Sequence, residues 1–431
     1  MYITKLSISN LRSFREAEVE FCRPGCEGAP QVDNVTLLLG DNGAGKTSVL
    51  RAVALAALAP VIGSSGFRPY RLVRQTGGEA APRATVSGDF ILHNQDLETA
   101  DDTVEHPLHT ETLIERRGDF EQVTPAANSG PEWEGIFYES SPAFLVLGYG
   151  ASRRVETESP AASPAAGKSR FVRYERVSGL FEEGVSLVPL KNWLPRFRSE
   201  NPDRHRQVIT LINRLLPPET RIREQPEGSE YIFLHNSAPV PFAALSDGYR
   251  AFVGWIADLL YHICIGAPSG ARLDETRGIV LVDEVDLHLH PAWQRVVVPQ
   301  LAKALPNLQF ILTSHSPLVV GTLHSENLRL IEADETGAST VKRLQEHVHG
   351  LTADQILVSS YFGLSTPRAP EAVAELVGLS RRAQEGDATA ARAFLSRLSD
   401  TTFTLQERAA AAAGTDALAP RNGTRKKRRK Q

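Results

Sequence analysis

Eight residues limit what this chain can fold into: Gly40-Asp41-Asn42-Gly43-Ala44-Gly45-Lys46-Thr47. Before them stands Val35-Thr36-Leu37-Leu38-Leu39, a short apolar run of the kind buried on both faces of a sheet. After them comes Ser48-Val49-Leu50-Arg51-Ala52-Val53-Ala54-Leu55-Ala56, rich in helix formers. Strand, glycine loop and helix make an α/β unit. The pattern G-x-x-x-x-G-K-[ST] is complete, and its setting between strand and helix is the one it needs. Glycines let successive N–H groups converge on an anion, and the helix start adds its positive end.

The rest of the chain reads as α/β. Residues 2–9 and 16–21 alternate with period two, as strands do. Residues 70–125 read as an antiparallel β lobe, and Phe144–Leu147 as another strand. Residues 159–169 are Pro/Ala/Ser-rich and read as a linker; the Gly167-Lys168-Ser169 within it lacks the glycine spacing and the preceding strand of a phosphate loop. Val208, Ile209, Leu211, Ile212 and Leu215 form a helical stripe inside a small helical insertion, 180–225. Tyr231–Leu234 is a strand and residues 251–265 an apolar helix. Ile279–Val282, Gln309–Leu312 and Leu328–Ile331 are buried-type strands with helical patterns between them, as a parallel sheet requires. Residues 370–398 give two short helices, with Gly386 ending the first and Asp387 capping the second.

Charge and cysteine content narrow the classes. The net charge is −4, yet residues 421–431 hold seven bases (Arg421, Arg425, Lys426, Lys427, Arg428, Arg429, Lys430). Without them 40 bases face 51 acids, net −11, which argues against a general nucleic-acid-binding surface. No apolar run reaches the roughly 18 residues of a membrane helix. The start lacks a signal-peptide pattern, and three cysteines (Cys22, Cys26, Cys264) make no disulfide framework, so a cytoplasmic protein with reduced thiols is expected.

Three further stretches bear on the chemistry. Ile279–Val282 runs into Asp283-Glu284. A buried strand ending there puts a carboxylate at the sheet edge where ligands of open α/β sheets bind. Asp283, with the Thr47 hydroxyl, suits Mg²⁺; Glu284 suits a general base beside a γ-phosphate. Ser246-Asp247-Gly248 opens the apolar helix and offers a second phosphate cap. His315 follows the Gln309–Leu312 strand, 32 positions after Asp283. Trp193, Trp255 and Trp293 are expected to pack on helix faces, and Trp133 in a lobe loop. His288 and His290 are expected in a hydrogen-bonded loop.

The order phosphate loop, signature, acid strand, histidine strand resembles the ATP-binding-cassette superfamily. Ile8-Ser9-Asn10-Leu11-Arg12-Ser13-Phe14 and Asp283-Glu284-Val285-Asp286-Leu287-His288-Leu289-His290-Pro291 resemble its soluble RecF/SMC-like branch. With Leu245-Ser246-Asp247-Gly248-Tyr249-Arg250, they are most similar to the PtuA-type ATPases of the Septu and retron anti-phage systems.

The resemblance implies an α/β ABC-ATPase head, a mixed sheet around the phosphate loop with an antiparallel β lobe, a helical insertion and C-terminal helices. It implies ATP and Mg²⁺ as cofactors. Arg12, Gly40, Asn42, Gly43, Gly45, Lys46, Thr47 and Ser48 would hold the nucleotide, Thr47 and Asp283 the metal, with Glu284 and His315 catalytic. Ser246, Asp247 and Gly248 would close the nucleotide site of a second head in a head-to-tail homodimer or higher homo-oligomer. Where the superfamily has its coupling glutamine, this sequence offers Gly148-Tyr149-Gly150-Ala151-Ser152-Arg153. The expected organisation is an N-terminal half-head (1–158), a linker (159–170), an insertion with strands (171–240), a C-terminal half-head (241–345), C-terminal helices (346–410) and a basic tail (411–431).

The function implied is an ATP-hydrolysing switch controlling a nuclease (HNH-type) or toxin partner that acts in trans. The 116 residues after His315 show helices with scattered acids rather than a nuclease constellation. A RecF-like DNA-repair or DNA-clamp ATPase and a nucleotide-gated scaffold with negligible turnover are the alternatives. Nucleic-acid contact through a partner or the basic tail stays open, and no membrane association is expected.

Overall fold

The computed structural model describes residues 1–398 apart from 27–29, 65–66, 68, 70, 77–78, 94–95, 97–104, 119, 127–144, 154–171, 229 and 268–269. The linker, Trp133, Phe144 and the basic tail lie outside the described residues. The chain divides into two compact units, residues 1–364 and 365–431.

The strands in chain order are β1 (Tyr2–Leu11), β2 (Phe14–Glu20), β3 (Val35–Gly40), β4 (Gln75–Thr76), β5 (Glu79–Ala80), β6 (Arg83–Leu92), β7 (His106–Arg117), β8 (Phe120–Pro125), β9 (Val146–Tyr149), β10 (Thr220–Ile222), β11 (Ile232–His235), β12 (Ala238–Pro241), β13 (Gly278–Val282), β14 (Leu308–Thr313), β15 (Leu328–Ala333) and β16 (Ser339–Lys342). Eleven form one sheet in the order β8-β7-β6-β1-β2-β16-β15-β3-β14-β13-β9. One end, β15-β3-β14-β13-β9, is parallel. At the other end β8, β7, β6, β1 and β2 pair antiparallel. The antiparallel lobe expected from residues 70–125 is therefore continuous with the main sheet.

Alternation along the parallel strands explains the two cores. Val35, Leu37 and Leu39 of β3, Val280 and Val282 of β13, and Phe310 and Leu312 of β14 face one side. Leu38, Ile279, Leu281 and Ile311 face the other. Both sets are fully buried, which is why these segments read as unbroken apolar runs. Burying each such side chain contributes roughly 1.5–3 kcal/mol relative to exposing it.

Helix α1 (Lys46–Ser64) covers the second face. Its backbone departs from helical geometry at Leu58, where φ is −126° and ψ 19°. The first face carries α2 (Leu190–Glu200), α3 (Pro202–Leu215) and α4 (Asp247–Gly266). The expected stripe Val208, Ile209, Leu211, Ile212 and Leu215 is the buried side of α3. Trp193, Trp255 and Trp293 are all buried in this layer. The sheet β10-β11-β12 lies between α3 and α4 in sequence.

Buried polar side chains lock distant strands together. Gln309 is fully buried, accepts from Ile3 N (2.8 Å) and donates to the Ile3 and Cys22 carbonyls (both 2.7 Å), tying β14 to β1. Asn34 donates to the carbonyls of Ala302, Leu305 and Leu308, pinning the start of β3 to the turn before β14. In the second unit, α5 (Pro370–Gln384) ends at Gly386, whose φ is +97°, and Asp387 caps residues 388–398 through Thr389 N and Ala390 N. Arg397 and Glu375 pair across these two helices at 3.1 Å.

Candidate functional site

The phosphate loop is built on close approaches. Gly40 ends β3 with φ +141°, and a Cβ there would lie 2.1 Å from the Ile331 carbonyl oxygen of β15. Gly45 has φ +113°, and a Cβ would come within 2.7 Å of the Phe14 ring. The Leu11–Phe14 turn thus backs the loop, and only glycine fits between them. Ser339 of β16 adds a brace, donating to Ala44 O at 2.6 Å. Gly43, at φ +81°, faces open space, and Asp41, Asn42 and Gly43 are exposed. Lys46 Nζ folds back onto the Gly40 and Asp41 carbonyls at 2.8 and 2.9 Å. Burial lowers its ammonium pKa, opposed by the charges of Asp283 and Glu284. Ser48 is buried beneath the loop.

The acid strand meets this loop directly. Thr47 Oγ1 donates to Asp283 Oδ2 at 2.7 Å, and Thr313 Oγ1 donates to Asp283 Oδ1 at 2.6 Å. Thr313 also accepts from Glu284 N at 2.7 Å. The parallel register, Val282 opposite Leu312 and Leu312 opposite Leu37, brings all three strand ends to one edge. Asp283 is buried and Glu284 half-buried. A hydroxyl and a carboxylate converging at the sheet edge fit a small hard cation that keeps several waters. Mg²⁺ would be held by Thr47 and Asp283.

Arg12 has φ +49° and its backbone is held by Leu72 O and the Arg74 guanidinium. Its Nε is buried without a hydrogen-bond partner among the described residues. Burial, then the neighbouring Arg12 charge, pulls Arg51 down to about 10. Two guanidiniums beside a phosphate loop are suited to an anion.

Ser246 is the N-cap of α4, exposed, and makes no cap bond to its own helix. Asp247 is exposed and pairs with Arg250. Gly248 allows contact with the 284–291 segment: a Cβ would lie 2.5 Å from the His288 carbonyl oxygen. His290 caps the short helix Pro291–Gln294 through Ala292 N. His315 is exposed just past β14. Gly40–Thr47, Asp283 and Glu284 thus come together at one edge, joined by direct bonds. Ser246–Gly248 borders the segment after Glu284, through the approach of Gly248 to the His288 carbonyl.

Sequence reasoning gave no role to Thr313 and placed Arg153 only within the Gly148–Arg153 segment, without a role of its own. Arg153 donates from Nη2 to Glu284 O at 2.6 Å. The hydroxyl of Thr313, just before the Ser314-His315 pair, was the available signal for the first.

Two family models match the chain: "AAA domain, putative AbiEii toxin, Type IV TA system" over residues 158–321, and "AAA domain" over residues 5–96. The Septu protein PtuA of Bacillus mycoides (strain KBAB4) is 26% identical over 365 residues, 84% of this chain and 45% of that protein. The retron Ec83 probable ATPase of Escherichia coli is 34% identical over 147 residues, 34% of this chain and 27% of that protein. The chain thus spans less than half the length of these two relatives. The SMC head domain from Thermotoga maritima aligns with TM-score 0.43 at 16% identity, over 80% of this chain and 100% of that one. Among the described residues no helix is long and apolar enough to cross a membrane. The chain is thus similar in sequence to AAA-domain proteins, the Septu PtuA and retron ATPases among them.

Proposed function

We propose that this chain is an ATP-binding and ATP-hydrolysing switch whose heads pair head to tail and whose nucleotide state governs a nuclease or toxin acting in trans. The observation that carries the ATPase reading is the hydrogen bond from Thr47 to Asp283, which joins the phosphate loop to the acid strand at the place a Mg²⁺–triphosphate would occupy.

The residues then divide the work. The backbone of Gly43–Lys46 and the Lys46 ammonium cradle the phosphates, Lys46 exchanging its two loop carbonyls for phosphate oxygens. Mg²⁺, when bound, neutralises developing charge on the transferred phosphoryl group. Glu284 takes a proton from the attacking water, its position fixed by bonds at both its N–H and its carbonyl. His315 stands at the next strand end to hydrogen-bond the γ-phosphate. Ser246, uncommitted at the start of a twenty-residue helix, seals the nucleotide of a second copy. The regulated partner is inferred from the relatives, whose names place them in Septu and retron systems.

Phosphate release by the purified chain with Mg²⁺–ATP tests the catalytic reading. Release by the wild type and none by Lys46→Ala is expected. Equal release by both overturns it.

A further inference from the structure

β9 ends at Tyr149, and the chain continues through Gly150, Ala151 and Ser152 to Arg153 beside the end of β13. The path is fixed by a close approach: a Cβ on Gly150 would lie 2.3 Å from the Gly179 carbonyl oxygen. It delivers a guanidinium to the acid strand. Arg153 Nη2 donates to Glu284 O at 2.6 Å, while Glu284 N donates to Thr313 Oγ1. Leu287 N also donates to Glu284 O, at 3.0 Å, so three bonds hold this residue, whose φ of +49° is a left-handed backbone that a side-chain-bearing residue adopts only under constraint.

The other end of the relationship is α4. The Arg153 guanidinium lies 5.5 Å from the Trp255 ring centroid. That is cation–π range, and guanidinium planes stack on aromatic faces. Trp255 belongs to α4, which starts after Ser246 and whose first turn touches His288 O through Gly248. A second tie runs parallel to the first: Tyr149 Oη donates to Asp258 Oδ2 at 2.9 Å. Between the first turns of α4 and the segment after Glu284 lies a cavity of about 290 Å³, lined by Arg153, Ala251, Phe252, Trp255, Leu287 and His288. Arg153 thus touches both the helix and the acid strand beside this cavity.

We propose that Arg153 is a positioning residue: it fixes the backbone of Glu284 and transmits the setting of α4 to it, at the point where the superfamily's coupling glutamine is missing from this chain. The proposal rests on the reading of Glu284 as the ATPase base. A lysine would supply one point charge without the planar fork, so it could not hold the carbonyl and lie on the indole together.

The test compares wild type with Arg153→Lys and Arg153→Ala in steady-state hydrolysis and in equilibrium binding of a fluorescent ATP analogue. Hydrogen exchange over residues 247–256 and 284–291 is followed with and without a non-hydrolysable analogue. Both variants should bind nucleotide within about threefold of wild type, while kcat falls on the order of 10²-fold, the scale of a misplaced catalytic group. The nucleotide-induced change in exchange of the two segments should become uncorrelated. Guanidinium at millimolar concentration should restore part of the Arg153→Ala rate and none of the Arg153→Lys rate. Wild-type kcat in both variants overturns the proposal. So does equal loss of binding and kcat without guanidinium rescue. Should wild type itself bind nucleotide without turnover, the ATPase reading falls, and loss or persistence of coupled exchange in the variants decides Arg153 alone.

Discussion

The Thr47 hydroxyl donates to the Asp283 carboxylate across 2.7 Å, from residues 236 positions apart. The other Asp283 oxygen is taken by Thr313, so the carboxylate is aimed rather than free to rotate. Thr47 and Asp283 would hold Mg²⁺ here, Asp283 directly or through water, and the cation would supply charge stabilisation to the phosphates. Asp283→Asn can still accept from Thr47 but lacks the charge. It should raise the Mg²⁺ concentration for half-maximal hydrolysis at least about tenfold, the low end of what an outer-shell partner contributes. Chelation by EDTA should stop hydrolysis outright. An unchanged Mg²⁺ midpoint in Asp283→Asn would remove this carboxylate from the metal site.

Glu284→Gln keeps the shape of the side chain and the bonds at its backbone while removing the base. Hydrolysis should fall by about 10²–10⁴. Affinity for a fluorescent ATP analogue should hold. Since the nucleotide then persists, a larger species should appear on size exclusion with ATP and vanish with ADP. Undiminished hydrolysis would assign the base elsewhere.

How far the sequence was legible follows from range. Gly40–Thr47 and Ile279–Glu284 could be read directly, because each is a contiguous pattern whose meaning lies in its own strand and turn. Thr313 could not, since its role arises from the β13–β14 register, which aligns its hydroxyl with both Asp283 and the Glu284 amide. Arg153 acquires its role from a helix that begins almost a hundred residues later. Strand β12, Ala238–Pro241, carries Pro239 and Pro241, residues that read against a strand; it is the edge of a three-stranded sheet, where a missing N–H is tolerated. Strand β16 is short and its side chains mostly half-exposed, yet it carries Ser339, which braces the phosphate loop.

Ser246 makes no cap bond to its own helix and is exposed, so it is open to a second copy. If each nucleotide site is shared, Lys46→Ala and Ser246→Arg should each be inactive alone. Mixed in equal amounts, they should recover about a quarter of the wild-type rate, because half of the dimers are mixed and each carries one whole site. A mixture as inactive as its components would mean that each chain works with its own signature.

Asp258 and His262 lie one turn apart on α4, with Nε2 3.5 Å from Oδ2. Asp258 accepts from Tyr149 Oη at 2.9 Å and Val188 N at 2.7 Å. Burial pushes its carboxyl up to about 6. Burial, with the charge of Arg176, pushes His262 down to about 3. At about pH 5 both are neutral in the folded chain, whereas the unfolded chain has an ionised Asp258 and a protonated His262. Each state binds one proton, so the pair adds almost no pH slope to stability. The two halves have opposite signs. The stabilisation tied to Asp258 is complete below its unfolded value of 3.8 and is lost as pH rises through about 6. That tied to His262 is present above 6.5 and is lost as pH falls toward about 3. Removing either exposes the other. Measured by urea unfolding, His262→Leu should gain stability relative to wild type on going from about pH 6.5 to about pH 4.5. Asp258→Asn, whose amide oxygen can accept from Val188 N while its amide nitrogen donates to Tyr149 Oη, should lose it over the same interval. Each change should approach about 2 kcal/mol, from 1.4 kcal/mol per unit of unbalanced proton uptake. Parallel behaviour of the two variants would mean that the pair is charged in the folded state.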